Sequence, residues 1–430
     1  MNVFVDDEVR NDPDVMSDIT DSDIRPLLVN ASDTGGSATA TKRIHYGLRR
    51  IGVDSRMLVQ QKSTDDPTIV GPESTVGRAW SLARPHVDML PLRFYGRSDG
   101  FAVNWLPERK LERIREIDPD VVHLNWVWRG ALSVRTIGRL DRPVVWRLPD
   151  MAALTGGCHY AYGCDRFEDR CGSCPQLDSG ADLDLSRLTW HRKSHHWDDL
   201  DLTIVTPSSW LAEQARRSSL FGDKRIEVIP NALDTETYRP RDPKLGREFF
   251  DLPEDKRLVL FGAVDPMGDY RKGADLLQEA LQSLSGEIED VELVVFGATE
   301  PADPPDFGFP THYVGYLHDD PSLVLLYSAA DVMVVPSRYE GFGQTVSESL
   351  ACGTPVVAFD ATGPSDIVDH KETGWLAEAY EAEELAEGIE WVLETADREV
   401  VGDVARAQAV SSYLQSTVAK TYAELYDDVT

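Results

Sequence analysis

Strand-like and helix-like patterns alternate along most of this chain, in two successive series. The first series opens with an apolar run at residues 27–29, a glycine-containing loop and a helix with apolar residues at i, i+4 and i+8; a second apolar run follows at 57–59. A similar series begins near Leu258, after a linker-like segment at 226–240. A β–loop–α–β unit is the building block of a parallel doubly wound sheet. The chain is therefore predicted to be an α/β protein with two such sheets.

The length of 430 residues is too great for one hydrophobic core and favours two domains. Residues 65–105, rich in Pro, Arg and aromatic residues, are interpreted as a long excursion from the first sheet. Because ligands bind at the C-terminal ends of such strands, we expect a ligand cleft between the two domains. We predict an acidic tail over residues 1–24, a Rossmann-like domain over 25–235, a second Rossmann-like domain over 236–410 and a final helix over 411–430 that crosses back to the first domain.

The charge of the chain excludes one class of partner. Acidic residues outnumber basic residues 74 to 43, which gives a formal net charge of −31. Such a surface repels the phosphates of nucleic acids, so no nucleic-acid partner is expected. We interpret the excess as adaptation to high salt, where counter-ions screen the repulsion between carboxylates; an ordinary acidic protein is the alternative.

The strongest motif joins two glutamates across a glycine turn. The strand predicted at residues 332–335 leads to Glu340, then to the turn and to a helix beginning near Thr345, with Glu348 about one helical turn inside. Glycines let the backbone approach a ligand, and the start of a helix suits a diphosphate. The two carboxylates could accept hydrogen bonds from hydroxyl groups, and a glycine turn with two solvated glutamates is the alternative. The other candidate ligand contacts are Gly341, Phe342, Gly343, Thr345 and Val346.

Two further loops carry candidate ligand contacts. Arg271 and Lys272 follow the strand predicted at 258–261 and could clamp a diphosphate, although a basic turn is a common feature. The paired glycines Gly35 and Gly36 lie at the first strand–helix junction and permit close approach to a ligand. This loop is not a G-x-G-x-x-G sequence, which disfavours a dinucleotide site.

Residues 336–357 read P-S-R-Y-E-G-F-G-Q-T-V-S-E-S-L-A-C-G-T-P-V-V. This segment resembles the E-x7-E region of the family 4 (group 1) retaining glycosyltransferases, which have the GT-B fold of two Rossmann-like domains facing a central cleft. The resemblance implies that Glu340 contacts the transferred sugar and Glu348 the ribose of the donor. It also implies that Arg271 and Lys272 bind the donor phosphates, and that the loop of paired glycines covers these phosphates and the acceptor.

The chain departs from the family at one position. Many relatives have His-Asp where this chain has Pro149-Asp150, so Asp150 remains a candidate catalytic residue without the neighbouring histidine. His123 and His159 are candidate replacements, and a structural role is the favoured interpretation of each.

Four of the five cysteines lie in the loop over residues 157–175. Such a set can enclose a tetrahedral zinc ion, and disulfides or packed free thiols are the alternatives. We place a structural zinc first and expect Cys352 to lie in the core. The segment resembles an exopolysaccharide (colanic-acid-type) subgroup of the same family. The candidate ligands are Cys158, Cys164, Cys171 and Cys174.

The resemblance implies a retaining enzyme that moves a hexose-type sugar from a UDP- or GDP-sugar to a saccharide or lipid-linked acceptor, in surface polysaccharide or glycan biosynthesis. It implies no cofactor for catalysis. A sugar-nucleotide epimerase and a non-catalytic sugar-nucleotide-binding protein are the alternatives.

The chain shows no bilayer-spanning apolar run and no signal peptide pattern, so a cytoplasmic protein is expected. Cations on the first predicted helix are interpreted as a solvated face. The alternative is peripheral contact with the inner face of the membrane, which would dock a lipid-linked acceptor. These cations are Lys42, Arg43, Arg49 and Arg50.

Overall fold

The computed structural model describes residues 23–96, 100–262 and 264–430. The predicted acidic tail over 1–24 lies almost entirely outside these residues. Two compact units are present, and we describe each by itself. Of the described residues, the first unit comprises those up to Pro207 together with Leu211–Ala232 and Gln415–Thr430, and the second comprises Ser208–Trp210 and those within Leu233–Leu414.

The elements are numbered in chain order. Up to residue 232 they are β1 (Pro26–Ser32), α1 (Gly36–Arg50), β2 (Arg56–Gln61), β3 (Ile69–Val70), α2 (Thr75–Asp88), α3 (Lys110–Ile117), β4 (Val121–Leu124), α4 (Val134–Ile137), β5 (Val144–Arg147), α5 (Leu185–Trp197), β6 (Leu202–Thr206), α6 (Ser209–Arg217) and β7 (Arg225–Val228). From residue 233 they are α7 (Pro243–Phe249), β8 (Arg257–Gly262), α8 (Ala274–Leu284), β9 (Val291–Phe296), β10 (Thr311–Gly315), α9 (Asp320–Ala329), β11 (Val332–Val335), α10 (Gln344–Ala351), β12 (Val356–Phe359), β13 (Gly374–Ala377), α11 (Ala382–Glu390), α12 (Arg398–Tyr413) and α13 (Gln415–Val429).

The first unit contains a seven-stranded parallel sheet in the order β3-β2-β1-β4-β5-β6-β7. Its central strands β4, β5 and β6 are short, mostly apolar runs in which every residue is buried, as expected when helices cover both sides of a parallel sheet. The strand order reverses between β1 and β4. In doubly wound sheets the loops that follow the strands at such a switch point form the ligand crevice.

The second unit contains a six-stranded parallel sheet in the order β10-β9-β8-β11-β12-β13. Two hydrophobic clusters line its faces: one includes Leu260, Met333 and Val346, and the other includes Leu277 and Val334. The strand order reverses between β8 and β11, so the loops after these two strands lie at the switch point. The two parallel sheets of Rossmann-like units confirm the predicted fold class.

Two predicted irregular segments contain regular structure. The excursion over 65–105 includes α2, whose N-cap Ser74 accepts a hydrogen bond from the Gly77 N–H at 3.0 Å. Apolar residues on the exposed side of α2, such as Val76 and Leu82, hide its amphipathic period. The linker over 226–240 includes most of β7, an edge strand that pairs only with β6 and carries too few buried apolar residues to be recognised.

The final predicted helix over 411–430 is wrong at its start. Leu414 has extended backbone angles of φ −50° and ψ 129°, which end α12 before α13 begins. Helix α13 packs against α1 in the first unit, where Val418 and Tyr422 join the core cluster of Ile44 and Leu48. The proposed cationic face of α1 is also incomplete, because Arg43 is buried and Arg49 lies 3.5 Å from Asp54.

The described residues contain no helix with the length and apolar character needed to cross a bilayer.

Candidate functional site

In the second unit, the loops after β8 and β11 bring together two residues that the sequence singled out. Lys272 ends a single 3₁₀ turn, Tyr270–Lys272, and Glu340 follows β11 by five residues. The Lys272 ammonium donates a hydrogen bond to the Glu340 carboxylate at 2.6 Å. Both side chains are partly accessible, at 18% and 22% exposure. A cation and an anion are thus available to solvent at the switch point of this sheet.

Gly273 explains why these two loops approach each other. Its φ is +69°, and a Cβ atom added here would lie 1.9 Å from the carbonyl oxygen of Pro336. Any side chain would therefore push the loops apart. The Arg338 N–H also donates to the Arg271 carbonyl at 2.7 Å, which fixes the register of the two loops.

The second predicted cation, Arg271, forms an ion pair within its own turn. The Arg271 guanidinium donates to the Asp269 carboxylate, with one contact at 3.0 Å. Burial alone would raise the pKa of the Asp269 carboxyl, but hydrogen bonds and the charge of Arg271 outweigh burial and lower it. Arg271 therefore supports the turn as well as adding positive charge beside Lys272.

A further arginine in this region, Arg338, was not singled out by the sequence. Arg338 donates to both oxygens of Asp275, at 2.7 and 2.6 Å, and its guanidinium lies 4.2 Å from the centre of the Tyr270 ring. Asp275 lies in the first turn of α8, so this bidentate pair joins that helix to the loop after β11. Arg338 directly follows Ser337 in the glutamate motif, and this position could have identified it from the sequence.

The glycine turn after Glu340 ends at the N-terminus of α10. Gly343, with φ +106°, is the N-cap and has no side chain to occupy the first N–H groups of the helix. Thr345 is partly exposed at this helix start. By contrast, Gly341, Phe342 and Val346 are buried, and the last two pack in the hydrophobic core. A ligand could therefore contact these three residues only through backbone atoms.

Glu348 lies deeper than a surface carboxylate. It is 6% exposed, and one of its oxygens accepts a hydrogen bond from the buried Tyr327 hydroxyl at 3.1 Å. This contact orients the carboxylate, and a ribose contact for Glu348 stays a prediction.

In the first unit, the loop after β1 ends at Gly35, the N-cap of α1, and Gly36 is the first residue of that helix. Asp33 fixes this loop: its carboxylate accepts hydrogen bonds from the N–H groups of Ser63 and Thr64 at 2.8 and 2.9 Å. Burial alone would raise the pKa of Asp33, but these donors and the two hydroxyl groups lower it. Asp33 was not identified from the sequence because its partners lie some thirty residues away, after β2.

Asp150 lies three residues after β5 and is the centre of a second cluster in the first unit. Its carboxylate accepts hydrogen bonds from His159 Nδ1 at 2.7 Å, the Trp126 indole at 3.0 Å and the Ala152 N–H at 2.8 Å. Burial would raise the pKa of Asp150, but His159 and the other donors outweigh burial and lower it. The carboxylate is therefore ionised and only accepts, so Nδ1 of His159 carries a proton and donates it to Asp150. In the neutral form of this ring, Nε2 is the nitrogen that can accept a hydrogen bond.

The His159 ring is held from several sides. It stacks on Trp126 with 5.8 Å between ring centroids, and its backbone N–H donates to the Gly100 carbonyl at 2.8 Å. Its side chain is 17% exposed, and no described residue hydrogen-bonds to Nε2. His123 differs, because its side chain is wholly buried and its Nδ1 contacts the Tyr426 hydroxyl. Of the two histidines considered as replacements near Asp150, the structure brings only His159 to it.

The four clustered cysteines line one small cavity, together with Phe101 and Phe167. All five cysteines of the chain are free thiols, which disagrees with the disulfide alternative. The Gly156 N–H donates to the Cys171 sulfur at 3.1 Å, and burial raises the pKa of Cys171 to about 11. Four soft sulfur donors suit zinc chemically. However, among the residues that the structure describes, no three His, Cys, Asp or Glu side chains are placed as metal ligands. The zinc site stays a prediction.

Comparison with known families accounts for most of the chain. Residues 247–407 match the family described as glycosyl transferases group 1, and residues 35–232 match the glycosyl transferase 4-like domain. Among curated proteins, the D-inositol 3-phosphate glycosyltransferase of Acidothermus cellulolyticus is 33% identical over 233 residues, which are 50% of this chain and 51% of that protein. The matched part of the chain thus spans about half the length of this relative.

Solved structures show the same fold at low sequence identity. Sucrose-phosphate synthase from Thermosynechococcus elongatus superposes with a TM-score of 0.64 and 19% identity, covering 94% of this chain and 99% of that one. Anabaena HepE in complex with UDP-glucose gives a TM-score of 0.63 and 16% identity, with 94% and 100% coverage.

Proposed function

The chain belongs to the group 1 (family 4) glycosyltransferases, and we propose that it moves a hexose-type sugar, with retention, from a UDP- or GDP-sugar to a hydroxyl group of a saccharide or lipid-linked acceptor. The observation that carries this proposal is the Lys272–Glu340 pair at the switch point of the second sheet. We propose that this transfer is a step in surface polysaccharide or glycan biosynthesis. We also propose that the protein lies in the cytoplasm and contacts the membrane peripherally when the acceptor is lipid-linked.

The second unit is proposed to bind the donor. Lys272, with Arg271 beside it and the N-terminus of α10, would bind the diphosphate, which gains charge as the bond to the sugar breaks. Glu340 would accept hydrogen bonds from hydroxyl groups of the sugar. The structure of Anabaena HepE, which has a similar fold, was solved in complex with UDP-glucose, and this supports the proposal of a nucleotide-sugar donor.

The transfer needs no separate protein base. The bond between the anomeric carbon and the diphosphate oxygen breaks, and a bond forms from that carbon to the acceptor oxygen on the same face of the sugar. The proton of the acceptor hydroxyl passes to the departing phosphate oxygen. Pro149 in place of a histidine is therefore compatible with catalysis.

The first unit is proposed to hold the acceptor near Asp150. With Nδ1–H donated to Asp150, Nε2 of the neutral His159 ring can accept a hydrogen bond from a second, non-reacting hydroxyl of the acceptor and so orient the acceptor. His159 would then supply an acceptor nitrogen that position 149 lacks. The inositol phosphate acceptor in the name of the relative from Acidothermus cellulolyticus indicates the class of small polyhydroxy acceptors to include in a test.

Product analysis tests the proposal. The full chain is incubated with a panel of UDP- and GDP-hexoses, each with and without saccharide, inositol phosphate and polyprenyl-phosphate-linked acceptors. We expect a glycosylated acceptor and free nucleoside diphosphate. An isomerised nucleotide sugar formed without acceptor would instead identify an epimerase, and donor binding without turnover a binding protein; either result overturns the proposal.

A further inference from the structure

The first unit contains a buried guanidinium without a carboxylate partner. Arg147 is the last residue of β5 and is 1% exposed. One of its terminal nitrogens donates to the side-chain oxygen of Asn231, but Nε and the other terminal nitrogen have no hydrogen-bond partner. Among the described residues, no Asp or Glu side chain forms an ion pair with it. A buried, unpaired charge is costly, so an unassigned compensating group is expected here.

Other unpartnered polar atoms lie in the same region. Of the ten buried side-chain nitrogen and oxygen atoms without a partner in the described residues, five belong to Arg147, His123, Asn125 and Tyr422. The His123 and Tyr422 rings lie 5.0 Å apart between centroids, and both rings interact electrostatically with Arg147. Half of the unsatisfied buried atoms thus occur in one cluster, where β4 and β5 meet helix α13.

The cluster offers mostly donors. The Tyr426 hydroxyl lies 2.6 Å from His123 Nδ1. We assign the hydroxyl as the donor, because its proton has no other acceptor among the described residues. His123 then carries its proton on Nε2. Burial raises the pKa of Tyr422 and lowers that of His123, so the phenol keeps its proton and the imidazole is neutral. Four unpartnered donor atoms are thus present, against one acceptor oxygen on Asn125: Arg147 Nε, one Arg147 terminal nitrogen, His123 Nε2 and the Tyr422 hydroxyl.

We infer that Arg147, His123 and Tyr422 bind a small inorganic anion of the halide class, with chloride as the physiological occupant. A buried guanidinium beside two further unpartnered donors needs negative charge, which a water molecule does not supply. The complete burial of Arg147, His123 and Tyr422 excludes an organic phosphate and favours a monatomic ion. This anion would fix the end of β5 three residues before Asp150.

Crystals of the full chain grown in sodium bromide test the site directly through the anomalous signal of bromine. We expect a peak within hydrogen-bonding distance of Arg147 Nε and the Tyr422 hydroxyl. Electron density for water alone, without an anomalous peak, would overturn the inference.

A solution measurement complements the crystals. Melting temperatures are compared in sodium chloride, sodium bromide and sodium gluconate at equal ionic strength, which separates halide binding from general screening. We expect a higher melting temperature in both halides than in gluconate, and loss of this difference in Arg147→Met. Tyr422→Phe, a smaller change, should need about tenfold more halide for the same shift. Arg142→Met, at an exposed arginine paired with Asp118, is the matched control and should keep the halide effect. Equal melting temperatures in all three salts for the wild type would contradict the inference.

Discussion

The Lys272 ammonium lies 2.6 Å from a carboxylate oxygen of Glu340, although the two residues are 68 positions apart and follow different strands of the second sheet. The ion pair brings the basic turn and the glutamate motif together at the switch point between β8 and β11. A bound donor would replace this hydrogen bond: its diphosphate would bind Lys272, and its sugar hydroxyls would donate hydrogen bonds to Glu340.

Gly273→Ala should lower the free energy of unfolding by roughly 2 kcal/mol or more, because the new Cβ meets the Pro336 carbonyl and φ is positive. Urea unfolding measures the change. Gly286→Ala is the matched control: its φ is also positive, at +88°, but a Cβ there meets nothing within 4 Å. The control should lose only about 1 kcal/mol. Equal losses in the two variants would show that the contact with Pro336 does not constrain the loop.

His45 should make the first unit sensitive to acid. Its ring nitrogens hydrogen-bond to Ser55 and Thr68, both at 2.8 Å, and burial lowers its pKa from 6.5 to about 4. Below pH 6.5 the unfolded chain binds a proton that the folded chain does not, so stability falls as pH decreases toward 4. The slope from this residue is about 1.4 kcal/mol per pH unit.

The measurement is urea unfolding between pH 7 and 4 for the wild type, His45→Gln and His86→Gln. The first variant should show a shallower pH dependence than the wild type, even if it is less stable at pH 7. His86, an exposed residue of α2, is the control and should leave the slope unchanged. A slope in His45→Gln equal to that of the wild type would refute the assignment.

The fold was largely predictable, because most strands can be recognised from the composition of a few consecutive residues. Buried strands such as residues 332–335 and 356–359 can be recognised from their apolar composition. Strands β11 and β12 begin and end at the predicted residues. Helix α2 was not predictable, because apolar residues on its exposed side hide its amphipathic period. Strand β7 was not predictable, because it is an edge strand with few buried apolar residues.

The site was predictable only where its residues lie in a motif. The glutamate motif and the basic turn pointed to Glu340 and Lys272 before their contact was known. Asp33 depends on partners brought close by the fold, so nothing local distinguishes it from other aspartates. His159 was a candidate together with His123, and only the fold shows which of the two contacts Asp150.

The cysteine cavity predicts a measurable metal content. Purification under reducing conditions should yield about one zinc ion per chain by elemental analysis, since four thiolates favour tetrahedral zinc. Cys171→Ser should lose the metal, whereas Cys352→Ser, at a buried cysteine outside the cavity, should retain it. Metal-free wild type protein with four titratable thiols in the loop would establish packed free thiols instead.

The net charge of −31 predicts dependence on salt. Counter-ions screen repulsion among the carboxylates, so the melting temperature and activity should both rise toward molar potassium chloride. The comparison is with dilute buffer at the same pH. A melting temperature that is the same in dilute buffer and in molar salt would contradict adaptation to high salt.

The most direct test of the central claim follows the anomeric proton of the product by NMR during transfer from an α-linked nucleotide sugar. We predict that the wild type first forms the α-configured product, and that Lys272→Ala and Glu340→Ala each reduce turnover at least about tenfold, or ~1.4 kcal/mol of barrier. Lys256→Ala, which removes an ion pair of similar length with Asp290, should keep full turnover. A β-configured first product, or undiminished turnover in both site variants, would contradict the account.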